Sequence, residues 1–227
     1  MRRLLFAIVV LTFACAHNDH KKNDDTVQRE EEILRKDIVD TDPEGKACNE
    51  SEISGCVMLG EQEYNKGNVF EARLFFKQAC DGGEMPGCFN LGHMEYEKGN
   101  LVKARQFFKQ ACDGRLMIAC ARLGFLEEKR GDIVEATLLY KKACDGGFML
   151  GCSNLGFIEY EKGNLAEGKL FERKACDGGF MNGCAMLGSM EQEEGNLVKA
   201  RQLYNKACDG GVNMACQDLI KLAPSFK

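Results

Sequence analysis

The chain has 227 residues, 44% of them apolar and none of them tryptophan, with 30 basic against 35 acidic residues and a net charge of −5. That is enough chain for one ordinary domain or one short solenoid. No long basic cluster is present, which argues against nucleic acid or an anionic membrane surface as a partner. In chain order, Met1-Arg2-Arg3 opens a basic leader, and Leu4 to Ala14 is an apolar run of eleven residues. Such a run is too short to cross a bilayer and the right size for the core of a signal peptide. Two cleavages compete. Ala14-Cys15-Ala16 offers small residues to an ordinary signal peptidase, which would leave His17 first; Leu11-Thr12-Phe13-Ala14-Cys15 resembles a bacterial lipobox, which would leave a lipidated Cys15. Phe13 is bulky for a lipobox and Leu11 sits one place early, yet the short leader and the polar tether behind it favour the lipoprotein. Residues 1–16 are thus a signal peptide of one type or the other, and its loss takes the net charge to −7 by removing Arg2 and Arg3.

Residues 17–41 form a charged tether in which Val27, Ile33, Leu34 and Ile38 could make a weak amphipathic helix. Residues 42–55 read as an N-terminal cap, because Asp42-Pro43 places an N-cap and a first-turn proline ahead of Ala47-Cys48. A ladder then takes over. Cys48/Cys56, Cys80/Cys88, Cys112/Cys120, Cys144/Cys152, Cys176/Cys184 and Cys208/Cys216 are all C-x7-C pairs, each starting 32 residues after the last. A fixed period of this size marks a repeat architecture whose units bury their apolar faces on one another. The units are 56–87, 88–119, 120–151, 152–183 and 184–215, with 216–227 as a C-terminal cap.

Within unit 88–119, Gly99-Asn100 is a helix stop and restart, repeated at Gly67-Asn68, Gly131-Asp132, Gly163-Asn164 and Gly195-Asn196. Glu71, Glu135 and Glu167 stand where a capping-box partner would sit. Apolar residues at 101, 104, 107, 108 and 111 keep a helical period up to Asp113-Gly114. The expectation is an all-α protein: a right-handed α/α solenoid of five 32-residue helix–turn–helix repeats with one disulfide per repeat junction. Gly60, Gly92, Gly124, Gly156 and Gly188 fall inside first helices, at about 1 kcal/mol each relative to alanine. Small residues such as Ala104 and Ala111 on the facing helix predict a close approach there.

Leu91-Gly92, Gly99, Ala104, Phe108 and Ala111 match the spacing of the tetratricopeptide repeat, although the period is 32 rather than 34. With Ala-Cys-Asp-Gly-Gly leading to Gly-Cys-x-x-Leu-Gly, the units resemble the Sel-one-like repeats of the Helicobacter cysteine-rich protein family from Cys48 to Cys216. They depart from it in a shorter connection between helices, and unit 152–183 departs further, with Gly168 for alanine and Glu172 for an aromatic. Two cysteine connectivities keep the period. Bridging C-x7-C uses all twelve cysteines, whereas bridging within a unit (Cys88 to Cys112) strands Cys48 and Cys216; parity favours the first, and the family resemblance implies it too. So many persistent bridges place the protein outside a reducing cytosol.

Chemistry is sparse. The resemblance raises penicillin-binding or β-lactamase-like activity as an alternative function, but Ser-x-x-Lys is absent at Ser51, Ser54, Ser153, Ser189 and Ser225. Only His93 lies within the repeats, so no metal or other cofactor is expected. By the tetratricopeptide match, first helices line a groove of Tyr64, Phe89, His93, Tyr96, Glu97, Phe125, Phe157, Tyr160 and Glu161, which suits a protein, a peptide or a peptidoglycan-derived ligand. Some of these rings could instead pack between helices. Glu63, Glu95, Glu127, Glu159 and Glu191 recur at one site. They are either an acidic ladder or partners of a base on their own unit's second helix (Arg73, Arg105, Lys169, Arg201), and Thr137 leaves Glu127 the most available. An exported scaffold without chemistry of its own is the reading that follows, attached to a membrane only through a lipid on Cys15.

Overall fold

A computed structural model describes residues 53–222. The chain divides into Met1–Asn49 and Glu50–Lys227, and the described helices belong to the second unit. The leader, Cys15, the tether, most of the cap and Cys48 lie outside the described residues. Among the described residues eleven α-helices follow one another: α1 (Ile53–Asn65), α2 (Val69–Asp81), α3 (Met85–Glu97), α4 (Leu101–Asp113), α5 (Met117–Lys129), α6 (Ile133–Asp145), α7 (Met149–Glu161), α8 (Leu165–Asp177), α9 (Met181–Glu193), α10 (Leu197–Asp209) and α11 (Asn213–Lys221). There is no strand among the described residues. Each helix packs on the one before and the one after it, so the five pairs α1–α2 to α9–α10 stack into a solenoid that α11 closes. The first helix of each pair begins three residues ahead of its cysteine, and α1 takes in Ile53 to Gly55, which the sequence had placed in the cap.

The stops fall where expected. Gly67, Gly99, Gly131, Gly163 and Gly195 hold φ between 77° and 86°, a region glycine enters without a Cβ penalty. The restarts are less uniform than the motif suggests. Asn100 accepts a hydrogen bond from the Lys103 amide and Asp132 one from Glu135. Asn68, Asn164 and Asn196 make no such cap; their side-chain amides donate to Glu63, Glu159 and Glu191 on the preceding helix. The expected capping box is not completed either, because the backbone N–H of Asn68, Asp132 and Asn164 is already taken by the carbonyls of Glu63, Glu127 and Glu159.

In four of the five pairs an aromatic of the second helix packs against the in-helix glycine of the first. A Cβ on Gly60 would stand 2.6 Å from the Phe76 ring, and on Gly92, Gly124 and Gly188 it would come within 2.7 to 2.9 Å of Phe108, Tyr140 and Tyr204. The ring, more than Ala104 or Ala111, explains the glycine. Alanines of the Ala111 register face the next repeat instead: Ala79, Ala143 and Ala175 approach Gly87, Gly151 and Gly183, where a Cβ would meet theirs at 2.6 to 2.7 Å. These rings, alanines and leucines, with the half-cystines, are the buried core.

Among the described residues five bridges join Cys80–Cys88, Cys112–Cys120, Cys144–Cys152, Cys176–Cys184 and Cys208–Cys216, with Cα separations of 4.5 to 4.8 Å. Cys48, the expected partner of Cys56, is outside the described residues. Each bridge spans a repeat boundary, and such bridges belong to an oxidising compartment. The fold-back that permits them ends each second helix with a pair of reaching-back hydrogen bonds, Gly82 N–H to Gln78 and Glu84 N–H to Ala79 in the first repeat. The residue between adopts positive φ: Gly83, Gly147, Gly179 and Gly211 near 90°, but Arg115 at 69° in the second repeat.

The fourth repeat replaces the ring with Glu172. Its carboxyl occupies the aromatic's place over Gly156, fully buried, with the Ser153 hydroxyl donating to one oxygen at 2.9 Å and the other oxygen without a partner. Gly168 fits the same site, since a Cβ there would stand 2.9 Å from the Gly156 carbonyl oxygen. Burial pushes the Glu172 carboxyl up to about 8, against the small opposing effect of Ser153.

Two outcomes follow from this packing. Replacing one bridge, Cys112→Ala with Cys120→Ala, should lower unfolding stability by about 2–3 kcal/mol by the loop-entropy estimate, read as a shifted denaturant midpoint by circular dichroism. Glu172 is neutral in the fold while the unfolded carboxyl ionises above its ordinary 4.5. Its contribution is therefore fully present below that pH, declines as pH rises, and is lost on passing about 8. Glu172→Gln should leave stability in acid nearly unchanged and raise it near neutral and alkaline pH by on the order of 2 kcal/mol. Parallel pH profiles for the two proteins would contradict this.

Candidate ligand groove

The helical period sends one stripe of each first helix toward its second helix and leaves the opposite stripe outside. In α3 the buried stripe includes Cys88, Leu91, Gly92 and Glu95, and the outer one includes Asn90, His93 and Glu97. The same registers recur every 32 residues, so the outer stripes of α1, α3, α5, α7 and α9 lie side by side. Three contacts tie neighbouring stripes together. The Tyr64 hydroxyl donates to Glu97 at 2.7 Å, Tyr160 donates to Glu193 at 2.8 Å, and Tyr96 meets the edge of Phe125 with ring centroids 6.5 Å apart.

Of the residues expected to line a groove, Tyr96, Phe157, Glu97 and Glu161 are exposed, and Phe157 leaves 42% of its surface open. Tyr64 is also at the surface, its hydroxyl engaged by Glu97. Those hydrogen bonds to Glu97 and Glu193 hold the Tyr64 and Tyr160 phenols above their usual range. His93 Nδ1 lies 3.6 Å from Glu97. Phe125 is half-buried, with Lys129 Nζ 5.3 Å over its ring. Phe89 turns the other way and packs 5.6 Å from the Phe108 ring of its own repeat, as part of the core boundary. Between α1 and α3 the face dips into a depression of about 240 Å³ lined by Glu61, Tyr64, Asn65, Phe76, Asn90, His93 and Met94.

The recurring glutamates are not a free acidic ladder. They meet bases, but those of the preceding repeat rather than their own: Arg73 pairs with Glu95, Arg105 with Glu127, and Lys169 with Glu191 at 2.8 Å. Glu127, expected to be the most available, is 1% exposed and gripped by Arg130 as well as Arg105. The missing base at Thr137 acts one repeat later, on Glu159, which is held only locally by Lys162 and Asn164. Hydrogen bonds from those two side chains keep the Glu159 carboxyl low, and one from Lys169 does the same for Glu191. The offset arises because the helix following α2 in space is α3, so the outward side of a second helix reaches the first helix of the next repeat.

Sequence reasoning passed over Glu61, Asn90, Arg122, Lys129 and Glu193, all on this face. Their signal was present: each stands at a multiple of 32 from a residue that had been singled out or from one another, as Lys129 does from Glu97 and Glu161. No group of His, Cys, Asp and Glu among the described residues is placed to hold a metal ion. Ser153 is committed to Glu172, and the raised carboxyl of Glu172 is sealed from any substrate. No described helix is long and apolar enough to cross a membrane.

A comparison with curated proteins finds no match. Among solved structures, a Sel1 repeat protein from Oxalobacter formigenes is 19% identical with a TM-score of 0.70, covering 81% of this chain and 83% of that one. The c5321 antigen of uropathogenic Escherichia coli, described as displaying an SLR fold, is 23% identical with a TM-score of 0.65; 74% of this chain is covered but only 40% of that protein. YrrB, described as a TPR protein with an unusual peptide-binding site, is 15% identical at a TM-score of 0.52 over 79% of this chain and 98% of that one. At these identities the likeness is one of fold. The Sel1 repeat model matches residues 53–84, 86–115, 118–148 and 182–212, and passes over 149–181, the stretch that carries Gly168 and Glu172. Since those four matches take in just over half of the sequence, the chain belongs to the Sel1 repeat family.

Proposed function

We propose that this protein is an exported scaffold whose first-helix face binds an extended segment of a protein or a peptide, peptidoglycan-derived peptides included. One observation carries the reading: aromatic and charged side chains stand in register along that face, and the Tyr64–Glu97 and Tyr160–Glu193 bonds fix several of them before any ligand arrives. A face held in place loses less side-chain freedom on binding, which favours affinity. Exposed Tyr96 and Phe157 supply apolar area, and Asn90 offers an amide that can pair with a peptide backbone. The fold likeness to YrrB, a peptide-binding protein by its description, supports the same use. The leader and the bridges support export, and a lipid on Cys15 would hold the scaffold at a membrane while the tether gave it reach.

Peptides selected by display on the oxidised protein should bind in calorimetry, and Tyr96→Ala with Phe157→Ala should weaken them about tenfold or more while circular dichroism stays unchanged. Selected peptides that bind this double variant as tightly as the parent would move the site elsewhere. A chromogenic β-lactam incubated with the same protein tests the enzymatic alternative, which sustained turnover would establish. Mass spectrometry of the mature N-terminus distinguishes a diacylglyceryl Cys15 from a free His17.

A further inference from the structure

Along the first-helix face the charge changes sign twice. The outer stripes of α1 and α3 carry Glu61 and Glu97, and those of α7 and α9 carry Glu161 and Glu193. Between them, α5 sets Lys129 where α3, α7 and α9 carry Glu97, Glu161 and Glu193, and Arg122 where α3 and α7 carry the neutral Asn90 and Asn154. Both are exposed. Neither has a carboxylate within salt-bridge distance among the described residues, in a protein where Arg73, Arg105, Arg130, Lys162 and Lys169 all do. Glu97 and Glu161 share Lys129's register one repeat to either side, yet Lys129 lies over the Phe125 ring instead. Glu97 is occupied by Tyr64 and His93. The pair is thus presented beside the Tyr96–Phe125 edge with its charge unspent.

We infer that Arg122 and Lys129 form a central clamp for the acidic residues of an extended peptide segment that carries basic residues toward its two ends. The inference rests on the peptide-binding reading of this face and adds the sequence it selects. Guanidinium and ammonium groups take a carboxylate in different ways, Arg122 through a planar fork and Lys129 as a point charge braced on an aromatic. Packed helices lie 8–10 Å apart and extended chain rises ~3.3 Å per residue, so one repeat corresponds to about three ligand residues. Acidic side chains at the centre then place flanking lysines or arginines near Glu97 and Glu61 on one side and Glu161 and Glu193 on the other. A uniformly acidic partner would be repelled at both ends, and a uniformly basic one at the centre.

The probes are three fluorescein-labelled nonapeptides with a lysine at each end and Glu-Phe-Glu, Gln-Phe-Gln or Lys-Phe-Lys at the centre, titrated against the oxidised protein by anisotropy. The acid-centred peptide should bind about tenfold tighter than the amide-centred one, with the lysine-centred one weakest and the preference shrinking as salt rises. Arg122→Glu with Lys129→Glu, two exposed changes that leave the core untouched, should reverse the order. Equal binding of all three peptides, or an order that survives the charge reversal, overturns the clamp while leaving the peptide face standing. Binding of none of the three, with soluble peptidoglycan fragments captured through Arg122 and Lys129 instead, overturns the clamp as a peptide site. Failure of every displayed peptide to bind removes the face itself.

Discussion

The stack depends on the step between paired cysteines. Eight residues of continuous helix would separate their Cα atoms by about 12 Å, and the bridges hold them at 4.5 to 4.8 Å. The chain reaches that distance only by ending the second helix, passing one residue through positive φ and starting the next first helix in reverse. Once this is done, the new helix is pressed against the old one. Gly87, Gly151 and Gly183 are then forced by the alanines they face, and the base of one repeat is delivered to the glutamate of the next. Bridge, turn, close packing and ion pair are consequences of a single reversal.

Much of this was legible in the residues because a repeat states its geometry several times. The period set the helix pairs, the glycines set their stops, and parity among the cysteines set the bridges. What stayed hidden was anything decided between units. The glutamate partners were assigned to their own repeat because the sequence does not say which face of a second helix turns toward its neighbour, and the pairing came out displaced by 32 residues. The asparagines were read as caps because their position suits one, whereas a glutamate five residues upstream competes for the same side chain and wins in three repeats. Phe89 and Phe125, four residues from equivalent places in successive units, differ in their surroundings: one finds a phenylalanine ring behind it, the other a lysine above it.

The repeats are alike in backbone and unlike in interior. Thr137 interrupts the series of cross-repeat bases, and Gly168 and Glu172 follow in the next unit, so three departures gather around one boundary. A carboxyl over Gly156 contributes less dispersion than a ring and keeps one oxygen without a partner. Cooperativity in a linear array passes through nearest neighbours. The fourth repeat is accordingly where the array is least uniformly bound, although its two ends are fixed by Cys144–Cys152 and Cys176–Cys184.

Those covalent ties also set how the molecule would yield to a pull along its length. Tension applied through the two ends runs across each bridge and bypasses the seven residues it encloses. Only the stretch between successive bridges, such as Cys88 to Cys112, can lengthen. Each stretch pays out roughly 80 Å of extended chain at most, and then meets the next sulfur link. Under load the protein would behave as a line of short springs of fixed maximum travel, unable to run out all at once.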